Sequence, residues 1–231
     1  NTAFKDVGRL GVITGLAREA DCLDVFPIDD RPLVRCAAAR TQRAYELSRD
    51  LINNGCQALL SFGMAGGLRE DLTPGALLIA SSVIGPEGQV FETSKPWLER
   101  VLASLGEEAT TATIAGSDKV VTTPAAKRNL AEKWNAALVD MESHAVAAAA
   151  EEDGIPFLAI RAVADPAGRA IPAWVTGHIS ENGTPSYGAI LAGLAAHPWE
   201  LSGLLRLKSD SNRALLSLRR VAGRLGPLFG L

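Results

Sequence analysis

Seven apolar runs, several rich in β-branched residues, recur along this chain, separated by stretches with helical periodicity. The runs are RLGVIT (9–14), LVRCAAA (33–39), QALLSF (57–62), ALLIASSVI (76–84), TATIAG (111–116), ALVDM (137–141) and PFLAIRAVA (156–164). Several are apolar at odd and even positions alike, so strands made from them must be covered on both faces. The segments TQRAYELSRDLINNG (41–55), TPAAKRNLAEKW (123–134) and ESHAVAAAAEEDG (142–154) read as the covering helices, the first opening on a capping Thr41 and closing on Gly55. Such alternation predicts an α/β fold with a mainly parallel sheet. Ligands of such sheets meet the carboxyl ends of the strands.

With 231 residues, 47% of them apolar, the chain is long enough for one sizeable domain with a real core. A formal net charge of −3 gives no electrostatic footprint for a nucleic-acid binder acting over its whole surface. Cys22, Cys36 and Cys56 form no C-x-x-C pair and no cluster with histidine, so buried reduced thiols are expected rather than a disulfide framework or a metal site. No apolar stretch reaches the roughly 18 to 20 residues of a spanning helix, and the N-terminus lacks a secretory pattern. If Asn1 lies close to the native start, a cytoplasmic location is expected. The Gly-, Pro- and Ser-rich stretch from Pro166 to Ser186 reads as a long loop beside one strand edge.

Four segments stand at strand exits: TGLAREAD (14–21), SFGMAGGL (61–68), VDMES (139–143) and VADPAGR (163–169). In order and spacing they resemble the nucleoside phosphorylase and nucleosidase superfamily. Its methylthioadenosine and adenosylhomocysteine nucleosidases show a glutamate-bearing turn after the first strand, then G-x-A-G-G-L, V-D-M-E and R-A-x-S-D, the last represented here by IRAVADPA. The resemblance implies a single nucleoside phosphorylase-like domain over 1–209, with a mixed, mainly parallel central sheet flanked by helices. It also implies an N-glycosyl hydrolase with no metal or other cofactor, and a homodimer or larger assembly. Position by position, Glu19 falls on the glutamate that activates the attacking water, and Asp165 on the acid that protonates the purine. Met141 falls on the residue under the ribose and Glu142 on the acceptor for ribose hydroxyls. Gly63, Met64, Ala65 and Gly66 bring backbone close to the ligand, and Val120 and Val121 in GSDKVV (116–121) stand where relatives stack an aromatic ring on the base.

The residue types suit the chemistry. Breaking a ribose–purine bond builds cationic character on the sugar, and the base leaves poorly unless a ring nitrogen is protonated. Asp165 therefore needs a raised pKa from a partly dry pocket, while Glu19 stays ionised, a division of labour like that of inverting glycosidases. Glu142, on the first turn of a helix, is expected to be held charged by the helix dipole. Taken singly, Glu142 reads better as a helix-start carboxylate with no ligand; Asp165 reads equally as a turn residue before Pro166 and Glu19 as an exposed helix charge, and Gly67 also suits a tight turn. His144, with no Ser or Cys partner, reads as structural or pocket-lining.

Three departures from the family pattern qualify the resemblance. Phosphorylases place an Arg and a Ser where this chain has Ser61 and Met64, which favours hydrolysis, with Arg18, Arg40 or Arg43 left as candidates for an unconventional phosphate site. Ala164 stands where the nucleosidases have a serine beside the acid. The chain also extends some two dozen residues past the long helix read over SYGAILAGLAAHPWELSGLLRL (186–207). With ITGLAREA and VDMESHAVA, that layout resembles the hopanoid-associated branch, which removes adenine from adenosylhopane. A soluble methylthioadenosine or adenosylhomocysteine nucleosidase, a phosphate-dependent phosphorylase and a catalytically dead, membrane-associated nucleoside-binding scaffold remain the alternatives. Residues 210–231 read as a basic amphipathic helix with Ala214, Leu215, Leu218, Val221, Ala222 and Leu225 on one face and arginines opposite. Such a helix either packs on the domain or a second subunit, or lies on an anionic bilayer as a peripheral contact at the inner face of the cytoplasmic membrane, and the lipid substrate favours the bilayer.

Overall fold

The structure, a computed structural model, describes residues 9–176, 180, 182–184 and 186–231. Its strands are β1 (Arg9–Thr14), β2 (Leu33–Cys36), β3 (Cys56–Gly67), β4 (Leu77–Ile84), β5 (Val90–Glu92), β6 (Ala109–Gly116), β7 (Leu138–Asp140) and β8 (Phe157–Asp165). All eight belong to one mixed sheet, with five parallel pairings and three antiparallel. Strand β3 pairs with β8 and β7, β8 with β4, β4 with β6, and β6 with β7, so five strands close into a ring. Strands β1 and β2 extend the sheet from β3, and β5 hangs on β4. The helices are α1 (Ala17–Ala20), α2 (Thr41–Asn53), α3 (Lys95–Leu105), α4 (Pro124–Trp134), α5 (Ser143–Glu152), α6 (Ala173–Thr176), α7 (Tyr187–Ala196) and α8 (Leu201–Leu225).

Both faces of the sheet are covered, as the uniformly apolar runs require. Leu10, Val12, Leu60, Phe62, Leu158 and Ile160 pack against α3 and α8, while Ile13, Leu59, Leu78, Ile114 and Leu138 pack against α2 and α5. Successive strand residues point to opposite faces, so one run feeds two cores. The sequence reading passed over α3, although Trp97, Val101 and Leu105 recur at helical spacing and are fully buried.

Several boundaries differ from expectation for local physical reasons. Strand β3 does not end at Phe62 but continues to Gly67, because Gly66 and Gly67 find a second partner in β7 after a register shift against β8. Thr41 is the first residue of α2 rather than its cap, and its Oγ1 donates instead to the carbonyl of Met141 at 3.0 Å. The stretch from Pro166 to Ser186 contains α6; residues 177–179, 181 and 185, like residues 1–8 at the N-terminus, lie outside those described.

The C-terminal region departs furthest from expectation. Residues 186–207 are not one helix: α7 ends at Ala196, a 3₁₀ turn follows over Pro198–Glu200, and α8 runs unbroken from Leu201 across the expected boundary at 209/210. Pro198, which has no N–H to donate, marks the break. Ala214, Leu215, Leu218, Val221 and Ala222 are buried with Phe229 against β8 and α3, and Trp97 Nε1 donates to the Phe229 carbonyl at 2.7 Å. The face expected to meet a bilayer is therefore core, and α8 is part of the domain. Among the described residues no helix is long and apolar enough to cross a membrane.

Candidate active site

The chain leaves β1 at Thr14 and turns through Gly15 and Leu16 into α1, which carries Glu19. Glu19 is only 2% exposed, and its carboxylate collects three main-chain donors: Gly15 N at 2.7 Å and Leu16 N at 2.8 Å on Oε2, and Met64 N at 2.8 Å on Oε1. Backbone from the turn after β1 and from β3 thus fixes one carboxylate. Burial pushes its pKa up, while the Arg161 guanidinium and these N–H donors pull it back.

The acidic residues between β7 and α5 divide their work. Asp140 supports the start of α5: its Oδ1 accepts from Glu142 N at 3.1 Å and Ser143 N at 2.8 Å, and its Oδ2 accepts from Ser143 Oγ at 2.5 Å. That leaves the Glu142 side chain to turn into the cleft. Arg161, fully buried on β8, lies beneath both. Its Nε donates to Asp140 Oδ2 at 2.7 Å, and its Nη2 to Ser61 Oγ at 2.6 Å and to Glu142 Oε2 at 3.4 Å. Arg161 Nη1 has no partner. Gly63 makes room for this arrangement, since a Cβ there would lie 2.5 Å from Nη1 and 2.7 Å from the Glu19 carboxyl carbon.

Burial pushes the Glu142 carboxyl up to about 8, with Arg161 opposing and Asp140 and Glu19 reinforcing. The expectation that the helix dipole keeps Glu142 charged is corrected: the dipole is worth about 0.3 to 1 kcal/mol, less than full burial costs. A carboxyl with a raised folded pKa retains its proton when the unfolded chain has lost it. Glu142 therefore detracts from stability increasingly as pH rises from about 5 through 8. Glu142→Gln should accordingly gain thermal stability over the parent as pH is raised from 5 to 9, on the order of a few kcal/mol at the top of that range. A difference that is flat with pH in thermal unfolding would show that Glu142 is not proton-linked.

Asp165 ends β8 and is buried apart from the edge that lines the cleft. Burial pushes its carboxyl up to about 6, with Lys127 and Arg169 opposing. Lys127 comes from α4, is fully buried, and donates to Asp165 Oδ2 at 2.5 Å.

One cleft gathers Glu19, Met64, Ala65, Gly66, Val120, Val121, Met141, Glu142 and Asp165 from five separate stretches of sequence. Gly63 stands behind the wall rather than in it. His144 does likewise, packed under Gly116 with Nε2 3.3 Å from Asp118 Oδ1. Lys119, Ile171, Leu16 and Ala39 are among the others that line it. Among the described residues lining it there is no aromatic ring, so a purine there meets aliphatic groups.

Two buried cations were not singled out from sequence. Arg161 stands in the quoted IRAVADPA and corresponds to the Arg of R-A-x-S-D, so its signal was present; Lys127 carries none beyond being a basic residue on a helix. Arg18, Arg40 and Arg43 do not line the cleft, Arg18 Nη2 donating to Asn212 Oδ1 at 2.9 Å, and Ser61 is consumed by Arg161. Glu19, Asp140 and Glu142 crowd around a single guanidinium. With its one guanidinium already shared among three carboxyls, such a floor offers little free positive charge to a phosphate dianion. Among the described residues no group of three or more His, Cys, Asp or Glu side chains is placed to hold a metal ion.

Residues 34–183 match the Phosphorylase superfamily. A 5'-methylthioadenosine/S-adenosylhomocysteine nucleosidase of Thermotoga maritima is 32% identical over 120 residues, which cover 48% of this chain and 55% of that protein. The chain thus spans about half the length of the curated relative it matches. Among solved structures, a futalosine hydrolase of Helicobacter pylori superposes with a TM-score of 0.69 at 17% identity, covering 93% of this chain and 95% of the other. A Neisseria meningitidis 5'-methylthioadenosine/S-adenosylhomocysteine nucleosidase in complex with methylthio-immucillin-A gives 0.69 at 15% identity, covering 94% and 98%.

Proposed function

Because this chain belongs to the phosphorylase superfamily, we propose that it is a purine nucleosidase, an N-glycosyl hydrolase that releases adenine from a 5'-substituted adenosine. The observation that carries this reading is the convergence of Glu19, Glu142 and Asp165 on one cleft. Asp165 protonates a purine ring nitrogen, and the glycosidic bond breaks with its electrons passing to the base. Glu142 accepts from the ribose hydroxyls. Water adds to the anomeric carbon as Glu19 takes its proton. The nucleosidase names of the relatives support this assignment, as does the scarcity of cations for phosphate.

Adenosylhopane is the substrate we propose, with a ribosylated lipid as product; the layout of the ITGLAREA and VDMESHAVA motifs supports it. Purified protein given adenosylhopane, methylthioadenosine or adenosylhomocysteine should release adenine fastest from adenosylhopane. Faster release from a soluble thioether assigns the protein to those substrates, and no release from any of them favours a nucleoside-binding scaffold. Assembly as a homodimer or larger is proposed with it.

Contact with an anionic bilayer, moved from the buried face of α8, falls to Trp199, Leu201 and Leu205, exposed by 72%, 47% and 58%, beside the exposed Arg206 and Lys208. A Trp199→Ser, Leu205→Ser double variant should lose co-sedimentation with anionic vesicles and keep its turnover of a short soluble adenosine. Unchanged co-sedimentation would remove this contact.

A further inference from the structure

The nucleosidases that this chain resembles carry a serine beside their catalytic acid, and here Ala164 offers no hydroxyl. The structure supplies a different neighbour. Lys127 Nζ sits in a cage of main-chain carbonyls, donating to Pro166 O at 2.9 Å, Asp165 O at 3.2 Å and Arg169 O at 3.3 Å, and closes on Asp165 Oδ2 at 2.5 Å. The side chain spans from α4 to the end of β8 with none of its surface exposed. An amine buried this deeply is costly without partners, and all those it has belong to Asp165 or the turn behind it.

We propose that Lys127 is the positioning residue for Asp165: it holds Oδ2, leaves Oδ1 to meet the purine, and stabilises the carboxylate formed when the proton leaves. The inference rests on the nucleosidase reading above and concerns one half-reaction of it. The Asp165 carboxyl gives its proton to a purine ring nitrogen, the glycosidic electrons pass to the base, and the carboxylate left behind is paired with the ammonium already in place. Because that charge develops only as the proton moves, the ion pair favours the transition state over the ground state. The other charges facing Asp165 are Arg169, on the turn after β8, and Asp210, on α8. These two pair with each other at 3.0 Å, which leaves Lys127 as the cation committed to the carboxyl.

Lys127→Met should raise the Asp165 pKa, because an opposing positive charge is removed while the burial remains. The high-pH limb of the kcat/KM profile should then move up by about 1 to 3 units. The maximal rate should fall, by less than the roughly 10² to 10⁴ that the acid itself is worth. Lys127→Arg should return the limb toward its parental position. A limb that stays in place in Lys127→Met, with activity lowered evenly across pH, would make Lys127 a packing residue and overturn the proposal. The parent protein gives a second measurement that needs no Lys127 variant. In a ¹³C and ¹⁵N titration, Lys127 Nζ should shift in step with the Asp165 carboxyl near pH 6 and lose that step in Asp165→Asn. An Nζ signal indifferent to Asp165 would overturn the coupling whether or not the variants fold. A parent that releases no adenine from any substrate would sink the nucleosidase reading, and the titration would still decide the Lys127–Asp165 pairing.

Discussion

Asp165→Asn is expected to cut adenine release by about 10² to 10⁴, the range that general acid catalysis contributes, and to leave the fold intact. The amide replaces the carboxyl at nearly the same volume but has no acidic proton to give. It also keeps an oxygen that can accept from Lys127, so α4 and the turn after β8 stay tied together. The loss should appear in kcat more than in KM, because proton transfer belongs to the transition state. Activity within a few-fold of the parent would make Asp165 a turn residue before Pro166 and move the proton source elsewhere.

Arg161→Met should have the largest effect on stability. The guanidinium is fully buried, and in its absence Asp140 and Glu142 face each other with Glu19 nearby and no cation between them. Breaking one side of a buried ion pair costs about 3 to 5 kcal/mol, enough to lower the Tm of a domain this size by roughly 10 °C. The penalty should be largest above about pH 8, where Glu142 ionises, and shrink as pH falls, because protonating the raised Glu142 and Glu19 carboxyls removes unpaired charge. A Tm change below 2 °C at neutral pH would show that water or a rearranged side chain satisfies these carboxylates, and that Arg161 does not organise the site.

What could be read from the sequence was whatever one segment could signal by itself. The apolar runs gave strands because their burial on both faces is written in uniform hydrophobicity, and β1 has the limits the run RLGVIT predicts. The end of β3 was not legible, since nothing local says that Gly66 and Gly67 will pair with β7. The same distinction separates the site residues. Glu19, Glu142 and Asp165 stand in recognisable motifs at strand exits, whereas Lys127 reaches Asp165 from 38 residues away in sequence. Which acid of VDMES caps the helix and which faces the cleft was likewise hidden, because that choice depends on Arg161 arriving from β8. Helix α8 shows the limit most clearly: its amphipathic pattern was correct, yet the pattern is the same whether the apolar face meets lipid or β8.

Whether Glu19 and Asp165 carry out hydrolysis and not phosphorolysis is decided by following adenine release from a 5'-substituted adenosine in rigorously phosphate-free buffer, then with phosphate added. Release should proceed at the same rate in both, with a free reducing sugar as co-product, and fall steeply in Glu19→Gln. Release that requires phosphate and yields a sugar 1-phosphate would contradict hydrolysis.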